Sequence, residues 1–401
     1  MRNKRTPEVR FPGFSGGWEE RKLGDLVIDV SRPLKMVDDD IYQLVTVKRR
    51  NGGIVSRGIY KGSGVLVKSQ FIIKTGDYLI SKRQVVHGAN GIVPEYLDGS
   101  IVSNEYLVLH GTKDLNIKFF SLISELPDMY KNYFLSSYGV DIEKLVFNVA
   151  DWKKRKISIP TIPEQNQITS FINTMNNVIA LQQQELTILK QTKQGFLQKM
   201  FPKEGETFPE VRFPGYTGDW EERKFSDFTK LSQGLQIAID KRYTEPGNNK
   251  LFYITNEFLK QNSDKKYFIE APPKNVIAKK DDILMTRTGN TGKVVTDVEG
   301  AFHNNFFKIA YVEKETSKLF LFYLLNSFSV QKEIIVRAGT STIPDLNHND
   351  FYQIKVNLPS KNEQIKIGDF FKKIDDTIAL HQRELDALKE TKKAFLQKMF
   401  V

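Results

Sequence analysis

Pro7-Glu8-Val9-Arg10-Phe11-Pro12-Gly13 recurs, residue for residue, as Pro209-Glu210-Val211-Arg212-Phe213-Pro214-Gly215. Each copy leads into a second shared stretch, Trp-Glu-Glu-Arg-Lys, at residues 18–22 and again at 220–224. The two copies lie 202 residues apart, whereas the units of a solenoid run to roughly 20–50 residues. A period of this size indicates two whole domains in one chain.

A second repeat closes each half, because residues 179–181 and 196–201 return as 378–380 and 395–400. Around these blocks the residues that share one helix face are spaced alternately three and four apart, which is typical of a coiled-coil seam. A helix over residues 164–200 would be about 55 Å long. The predicted seam comprises Ile172, Met175, Ile179, Gln182, Leu186, Leu189, Lys193, Phe196 and Met200, followed by Phe371, Ile374, Ile378, His381, Leu385, Leu388, Lys392, Phe395 and Met399.

Two such seams in one chain are expected to pair as an antiparallel coiled coil in a pseudo-twofold molecule. Gln182 would then lie close to His381, its repeat equivalent, and a polar pair at the centre of a seam can fix the alignment of the helices. The alternative is that both side chains splay into solvent. Lys193 and Lys392 are expected to pack their stems in the seam and keep their ammonium groups in water.

Between the repeated blocks, each half carries β-branched and aromatic runs punctuated by Gly-rich turns, and then helical patches. Residues 77–82 align with 282–287, and 103–106 with 303–306, so both halves are predicted to share one mostly antiparallel α/β (α+β) fold. The predicted strands in the first half are 41–47, 64–67, 71–73, 78–80 and 101–109, and the helical patches are 116–136 and, in the second half, 316–336. The predicted domains are 1–159, the first helix 160–201, the second lead-in and domain 202–358, and the second helix 359–401.

Composition favours a folded protein with a polyanionic partner. Hydrophobic residues make up 40% of the 401 residues, which is enough for two packed cores. No apolar run approaches the roughly 20 residues of a membrane span, and residues 1–5 lead into no signal segment, so a cytoplasmic location is expected. The net charge of +11 favours nucleic acid as the partner, with simple solubility as the alternative explanation. The absence of cysteine excludes disulfides and thiolate chemistry.

No set of catalytic residues emerges from the sequence. Residues 288–293, Thr-Gly-Asn-Thr-Gly-Lys, approach a phosphate-binding loop, but the spacing is wrong and Val294 stands where a hydroxyl is required. The chain has no His-Glu-x-x-His motif and no Asp/Asn-Pro-Pro-aromatic tetrad of the adenine methyltransferases. The sequence therefore predicts a non-catalytic protein with no metal site.

Loops at matching positions of the two halves carry residue types that contact DNA. Arg, Gln and Asn can bind base edges, while Lys and backbone amides bind phosphate. For any single residue the alternative is a solvated loop charge, and it is the matching positions that favour the group. The candidates are Lys48, Arg49, Arg50, Lys82, Arg83, Gln84, His87 and Asn104 in the first half, and Lys241, Arg242, Tyr243, Asn256, Lys260, Arg287, Thr288, Asn290, Thr291, Lys293, Asn304, Asn305, Ser341 and Thr342 in the second.

Together these features resemble the specificity (S) subunit of type I restriction–modification systems. The resemblance rests on the two variable domains, the repeated lead-in, the two helices ending in Phe-Leu-Gln-Lys-Met-Phe, and the strand and loop Asp-Ile-Leu-Met-Thr-Arg-Thr-Gly-Asn-Thr-Gly-Lys at 282–293. It covers essentially the whole chain. The first domain departs from the Arg-x-Gly form of that loop, because residues 81–88 read Ser-Lys-Arg-Gln-Val-Val-His-Gly.

The resemblance implies two target recognition domains, each reading one half of a bipartite site in double-stranded DNA, with the paired helices setting the gap. It also implies that the helices dock two methyltransferase (M) subunits, to which restriction (R) subunits bind. S-adenosylmethionine, ATP and magnesium would belong to those partner subunits, and this chain would hold no cofactor. The rival hypotheses are an autonomous nuclease or methyltransferase, and a non-catalytic repeat scaffold that binds protein or glycan ligands.

Overall fold

The computed structural model of the chain describes residues 6–260, 263–339 and 343–400. The chain forms two compact units: unit 1 comprises Met1–Leu181 with Asp386–Val401, and unit 2 comprises Gln182–Leu385. The predicted boundaries at 159/160 and 358/359 give each long helix a segment of its own, whereas the compact units divide both helices near their middles. The physical reason is that each half-helix packs against the core of a different unit.

Unit 1 contains thirteen described strands, three short helices and the first part of a long helix. The strands are β1 (Glu19–Lys22), β2 (Val27–Asp29), β3 (Pro33–Leu34), β4 (Ile41–Val47), β5 (Ile54–Lys61), β6 (Gln70–Ile72), β7 (Tyr78–Ser81), β8 (Asn90–Ile92), β9 (Ile101–Ser103), β10 (Tyr106–Gly111), β11 (Ser137–Tyr138), β12 (Val146–Phe147) and β13 (Lys156–Ile159). The helices are α1 (Ile117–Ser124), α2 (Pro127–Leu135), α3 (Val149–Lys154) and α4 (Ile162–Lys199), the last continuing into unit 2.

Unit 2 repeats this plan with ten described strands. They are β14 (Glu221–Lys224), β15 (Thr229–Gln233), β16 (Lys250–Ile254), β17 (Phe268–Glu270), β18 (Ile277–Ala278), β19 (Ile283–Thr286), β20 (Val294–Val295), β21 (Gly300–Phe302), β22 (Phe306–Tyr311) and β23 (Lys355–Leu358). The helices are α5 (Phe225–Phe228), α6 (Lys318–Leu325), α7 (Phe328–Ala338), α8 (His348–Tyr352) and α9 (Lys361–Lys398), whose last part belongs to unit 1.

The sheets of the two units correspond strand by strand. The antiparallel sheet β2-β10-β7-β8 of unit 1 matches β15-β22-β19-β20 of unit 2. In the second sheet β6-β9-β4-β5 matches β18-β21-β16-β17, and β3 is an additional edge strand in unit 1. Each of these sheets contains one parallel pair, β4 with β9 and β16 with β21. The prediction of one shared, mostly antiparallel fold is confirmed.

The central strand of each unit is buried on both faces. In β7, Tyr78 and Ile80 point into the core beneath the helices, while Leu79 points into the core of the second sheet. In unit 2, Ile283 and Met285 of β19 face the core beneath the helices, and Leu284 faces the core of the second sheet. Because side chains alternate along a strand, one short apolar run packs into two cores at once. The end of the strand is therefore held in place, and so is the start of the loop that follows it.

Two of the predicted strands are wrong in detail. Residues 64–67 form no strand, because the backbone amides of Gly62 and Ser63 bond to the carbonyls of Asp40 and Asp38 in an irregular turn. Residues 101–109 form two strands, β9 and β10, which belong to different sheets and are separated by a turn at Asn104. An apolar run alone does not show where the chain leaves one sheet for the next.

The long helices pair antiparallel within each unit. In unit 1 the first part of α4 packs on the last part of α9, with the rings of Phe171 and Phe395 4.9 Å apart. In unit 2 the last part of α4 packs on the first part of α9, with Phe196 and Phe370 5.0 Å apart. Every residue of the predicted seam is buried or half-buried, including Ile172, Leu186, Phe371 and Leu385 at 0–1% exposure.

The polar seam residues make specific contacts in unit 2. Nδ1 of His381 donates to Oε1 of Gln182 at 3.2 Å, so this pair is bonded rather than splayed. Nζ of Lys193 lies 2.6 Å from Oδ1 of Asp375 and 5.5 Å from the centre of the Tyr323 ring. The ammonium group expected to lie in water is therefore held by a carboxylate, whose other oxygen accepts a bond from the Tyr323 hydroxyl at 2.8 Å.

The repeated lead-in anchors each unit to its helices. Nε and Nη2 of Arg10 each donate to a carboxylate oxygen of Glu164 at 2.7 Å, and the same atoms of Arg212 donate to Glu363 at 2.6 and 2.8 Å. Both glutamates are 1% exposed, and the bond to Glu164 raises the pKa of Arg10. A buried carboxylate requires such a partner, which explains why the arginine and the glutamate recur in both halves.

Candidate nucleic-acid interface

Four loops of unit 1 meet where β4 and β7 end, and we call them loop cluster 1: residues 48–53, 82–88, 104–105 and 141–144. The backbone amide of Arg50 donates to the carbonyl of His87 at 2.7 Å, and that of Asn51 to the carbonyl of Gly88 at 2.9 Å. Arg50 and Asn51 adopt positive φ, at 58° and 54°, so the first loop turns sharply against the second. The candidates of the first domain are thus brought together.

The side chains of loop cluster 1 are tied to one another. Nε of Arg49 donates to Oε1 of Gln84 at 2.7 Å, and its Nη2 donates to Oε2 of Glu143 at 2.6 Å. The other oxygen of Glu143 lies 3.6 Å from Nε2 of His87. One carboxylate therefore holds the arginine and faces the histidine.

The remaining candidates of loop cluster 1 lie at its exposed rim. Nζ of Lys82 donates to the carbonyl of Asn104 at 2.7 Å, and Nε of Arg83 donates to Glu105 at 3.0 Å. Lys48 is exposed on the first loop. The cationic groups of Lys48, Lys82 and Arg83 therefore lie at the edge of loops that backbone hydrogen bonds hold together.

Loop cluster 2 occupies the same positions in unit 2: residues 255–260, 287–293, 303–305 and 343–346. The backbone amide of Arg287 donates to the carbonyl of Asn305 at 2.7 Å, and Nδ2 of Asn256 donates to the carbonyl of Thr288 at 3.0 Å. The hydroxyl of Thr291 donates to the carbonyl of Pro344 at 2.8 Å. All four loops are therefore joined, as in unit 1.

Arg287 is the most constrained side chain of loop cluster 2. Its Nε and Nη2 donate to the two oxygens of Asp345 at 2.9 and 2.6 Å, and its guanidinium carbon lies 5.6 Å from the centre of the Phe307 ring. The amide of Leu346 in turn donates to the carbonyl of Arg287 at 2.9 Å. Side chain and backbone are thus both held by the segment 343–346.

Other candidates of unit 2 line this cluster. Asn290 and Lys293 are exposed on the second loop, and the carbonyl of Asn290 accepts a bond from the Thr286 hydroxyl. Nδ2 of Asn304 donates to Oε1 of Gln236 at 3.3 Å, while Lys260 pairs with Glu257 at 2.7 Å. Asn290 and Lys293 thus present polar groups to solvent on the same loop as Arg287.

Three candidates lie apart from the loops around Arg287. Tyr243 pairs through its backbone with Phe268 at the edge strand β17, and Lys241 is exposed on the turn before it. The guanidinium of Arg242 donates twice to the carbonyl of Ile237 and lies over the rings of Tyr253 and Tyr267. Ser341 and Thr342 fall outside the described residues.

Two histidines of unit 2 are tuned toward the neutral form. Burial lowers the pKa of His303, and the charge of Arg242 adds to the effect. Burial likewise lowers the pKa of His348, with a contribution from the charge of Arg287. His303 also accepts a bond at Nδ1 from the amide of Asn305 at 3.1 Å, as a neutral ring nitrogen can.

The sequence reasoning missed the two carboxylates that hold the arginines, Glu143 and Asp345. It also missed Gln236, which accepts a bond from Asn304. Glu143 follows α2, and Asp345 follows α7, which is the equivalent helix of unit 2. That shared position is the only signal in the sequence, and charge alone does not distinguish these residues from solvated acids.

In the described part of the chain, no group of three or more His, Asp or Glu residues could hold a metal ion. No single described helix is long and apolar enough to cross a membrane, although α6 and α7, bent by 58° at their junction, pass the same test as a pair. Loop clusters 1 and 2 bring together cationic, amide and backbone groups with carboxylates that bind some of the cations. The fold and these clusters define a duplicated protein with a polar loop surface at the same place in each unit.

Comparison with known proteins agrees with this class. The family model "Type I restriction modification DNA specificity domain" matches twice, over residues 15–191 and 217–390. The chain therefore belongs to the type I restriction–modification DNA specificity family, as its resemblance to S subunits predicted.

Similar proteins extend over nearly the whole chain. The type I restriction enzyme MjaVIII specificity subunit of Methanocaldococcus jannaschii is 22% identical over 94% of this chain and 91% of its own length. The HsdS subunit of Thermoanaerobacter tengcongensis shares the fold with a TM-score of 0.54 at 18% identity, covering 98% of both chains. A type I S subunit from M. genitalium does so with a TM-score of 0.58 at 14% identity, covering 99% of both.

Proposed function

We propose that this chain selects the DNA sequence for a type I restriction–modification complex, with each loop cluster reading one half of a bipartite site. The observation that carries this proposal is the duplication itself. Two units with the same sheet order present different side chains at the same place, after β4 and β7 in one and after β16 and β19 in the other. Two units with the same sheets and different loop surfaces are suited to two different half-sites.

The chemistry of both clusters fits duplex DNA. Arginine and amide side chains can bind base edges in the major groove, and lysines and backbone amides bind phosphate. Gly88 and Gly289, at φ of 72° and 82°, let the backbone of the second loop pass close to its neighbours. Phosphate neutralisation makes the binding salt-sensitive, and the net charge of +11 supports it.

The chain itself performs no chemistry in this proposal. Helices α4 and α9 set the gap between half-sites and dock two methyltransferase subunits, through which restriction subunits join the complex. S-adenosylmethionine, ATP and magnesium act in those subunits. The complex works in the cytoplasm, where its DNA substrate lies.

Genome-wide methylation mapping tests the proposal. DNA from a host that expresses this chain with its methyltransferase subunit is compared with DNA from a host that expresses the methyltransferase subunit alone. A bipartite motif with a fixed gap, present only with this chain, is the expected result. Sequence-independent methylation, or the same motif without this chain, would contradict it.

The proposed role of the helices has its own test. Four residues, roughly one turn, are inserted at matched positions of α4 and α9, each of which has 38 residues. The gap in the methylated motif is expected to lengthen while both half-sites stay the same. An unchanged gap would show that the helices do not set it.

A further inference from the structure

One arginine in each loop cluster has the same side of its guanidinium occupied. In unit 1, Nε and Nη2 of Arg49 donate to Gln84 and Glu143 at 2.7 and 2.6 Å. In unit 2, Nε and Nη2 of Arg287 donate to both oxygens of Asp345 at 2.9 and 2.6 Å. The two arginines come from different loops, so the shared arrangement is not a copy of one sequence motif.

The side chains of both arginines keep some exposure to solvent, 49% for Arg49 and 18% for Arg287. Among the described residues, Nη1 of Arg49 and of Arg287 has no hydrogen-bond partner. A guanidinium is a rigid plane with five N–H groups, so fixing its Nε–Nη2 side also fixes the direction of Nη1 and of the second Nη2 hydrogen. Two parallel donors then point away from the carboxylate.

The adjacent carboxylates decide between phosphate and base as the partner. Glu143 and Asp345 each lie 2.6 Å from Nη2, so each charge pair is close to neutral and the carboxylate repels a phosphate that approaches. O6 and N7 of guanine carry no formal charge, and their spacing matches two parallel N–H donors of an arginine. A guanine edge is therefore the better ligand.

Other basic residues of the clusters lack this combination. Arg50 and Lys48 are exposed on the first loop without a carboxylate partner among the described residues, which suits phosphate binding. Arg83 is bound to Glu105 through Nε alone. Only Arg49 and Arg287 have both Nε and Nη2 held by side-chain acceptors from other loops of their cluster.

We propose that Arg49 and Arg287 each bind one guanine end-on in the major groove, and that Glu143 and Asp345 are the positioning residues that aim them. This inference rests on the proposed function and deepens it, because it requires a G·C pair in each half-site. Arg49 binds the guanine of the half-site read by unit 1, and Arg287 binds the guanine of the half-site read by unit 2.

The test is selection from a randomised DNA library by the full chain with its methyltransferase subunits, followed by sequencing. The variants are Arg287→Lys and Asp345→Asn, and the matched control is Arg337→Lys, whose Nε binds Glu333 at 2.9 Å on α7. Both variants are expected to lower the preference for guanine at one position by about 5- to 100-fold. All other positions of that half-site, and the whole half-site of unit 1, serve as internal controls for folding.

Several outcomes would overturn the inference. The first is an equal loss of affinity for all four bases at that position, which is the mark of a phosphate contact. The second is loss of the entire half-site, and the third is an unchanged guanine preference in both variants. Failure of the proposed function would look different, because the wild-type chain would then select no bipartite motif at all. The reciprocal variant Glu143→Gln is expected to relax one guanine position in the other half-site only.

Discussion

Loop clusters 1 and 2 occupy the same place in the fold but are held together differently. In cluster 1 the first and second loops are joined by backbone bonds, from Arg50 to His87 and from Asn51 to Gly88. In cluster 2 a side chain does this, because Nδ2 of Asn256 donates to the carbonyl of Thr288. We call the sheets, the repeated lead-in and the long helix segments of each unit its frame. The difference shows that the frame fixes where the loops lie, while the bonds within the loops and the side chains that they expose can vary.

The frame contacts explain that freedom. Gln165 bonds to the backbone of residues 114, 116 and 160, and Gln364 bonds in the same way to 315, 317 and 359. Contacts to backbone are indifferent to the side chains of the domain that they hold. A recognition domain can therefore diverge in sequence without losing its attachment to the helices.

The largest expected effect comes from removing the buried ion pair between the lead-in and the long helix, in one unit at a time. Glu164→Ala and Glu363→Ala each leave a mostly buried arginine without its partner, and each is expected to cost its unit about 3–5 kcal/mol of unfolding free energy. Urea denaturation followed by hydrogen exchange measures this unit by unit. The control Glu20→Ala, in an exposed pair with Lys156, is expected to cost under about 1 kcal/mol. Losses that differ widely between the units would contradict equivalent frames.

A smaller effect concerns the glycines that let the loops meet. A Cβ on Gly88 would lie 2.7 Å from Oδ1 of Asn51, and one on Gly289 would clash with Nδ2 of Asn256. Because both glycines have positive φ, an alanine is expected to cost about 1–2 kcal/mol and to weaken one half-site. Gly205→Ala, at φ 83° in open space, is the control for backbone strain alone. Equal DNA binding by all three variants would contradict the close packing of the loops.

A further prediction concerns the polar pair in the seam. His381→Ala removes the partner of Gln182 and is expected to destabilise unit 2 by about 1 kcal/mol, whereas replacing both residues with Leu is expected to be neutral or stabilising. Thermal unfolding of the single and double variants measures the coupling. If the double variant is destabilised more than the single, the pair contributes more than a satisfied hydrogen bond.

The smallest effect is the pH dependence that His303 contributes to the stability of unit 2. Burial and the charge of Arg242 lower the pKa of His303, so the folded unit binds this proton less tightly than the unfolded chain. The stability that neutral His303 contributes is therefore present above about pH 6.5 and is lost as the pH falls through the lowered pKa. His303→Asn is expected to flatten this dependence in hydrogen exchange of unit 2. A steeper loss of stability in the variant would contradict the sign.

Some of this architecture could be predicted from the sequence and some could not. The heptad spacing and the exact repeats predicted the helices, because these features depend on local periodicity. The clustering of Arg49 with Gln84 was suggested only by the matching positions of their loops. Glu143 and Asp345 could not be found, since their roles depend on which loops the sheets bring together. The strand break near Asn104 was missed for the same reason, because the chain changes sheet there.

The most direct test of two independent readers is to exchange one domain. Residues 23–158 are replaced with the corresponding segment of another member of the family, and the methylated motif is mapped for the chimaera with its methyltransferase subunits. One half-site is expected to change while the other half-site stays as it was. A change in both half-sites, or in neither, would contradict the claim that each unit reads its own half.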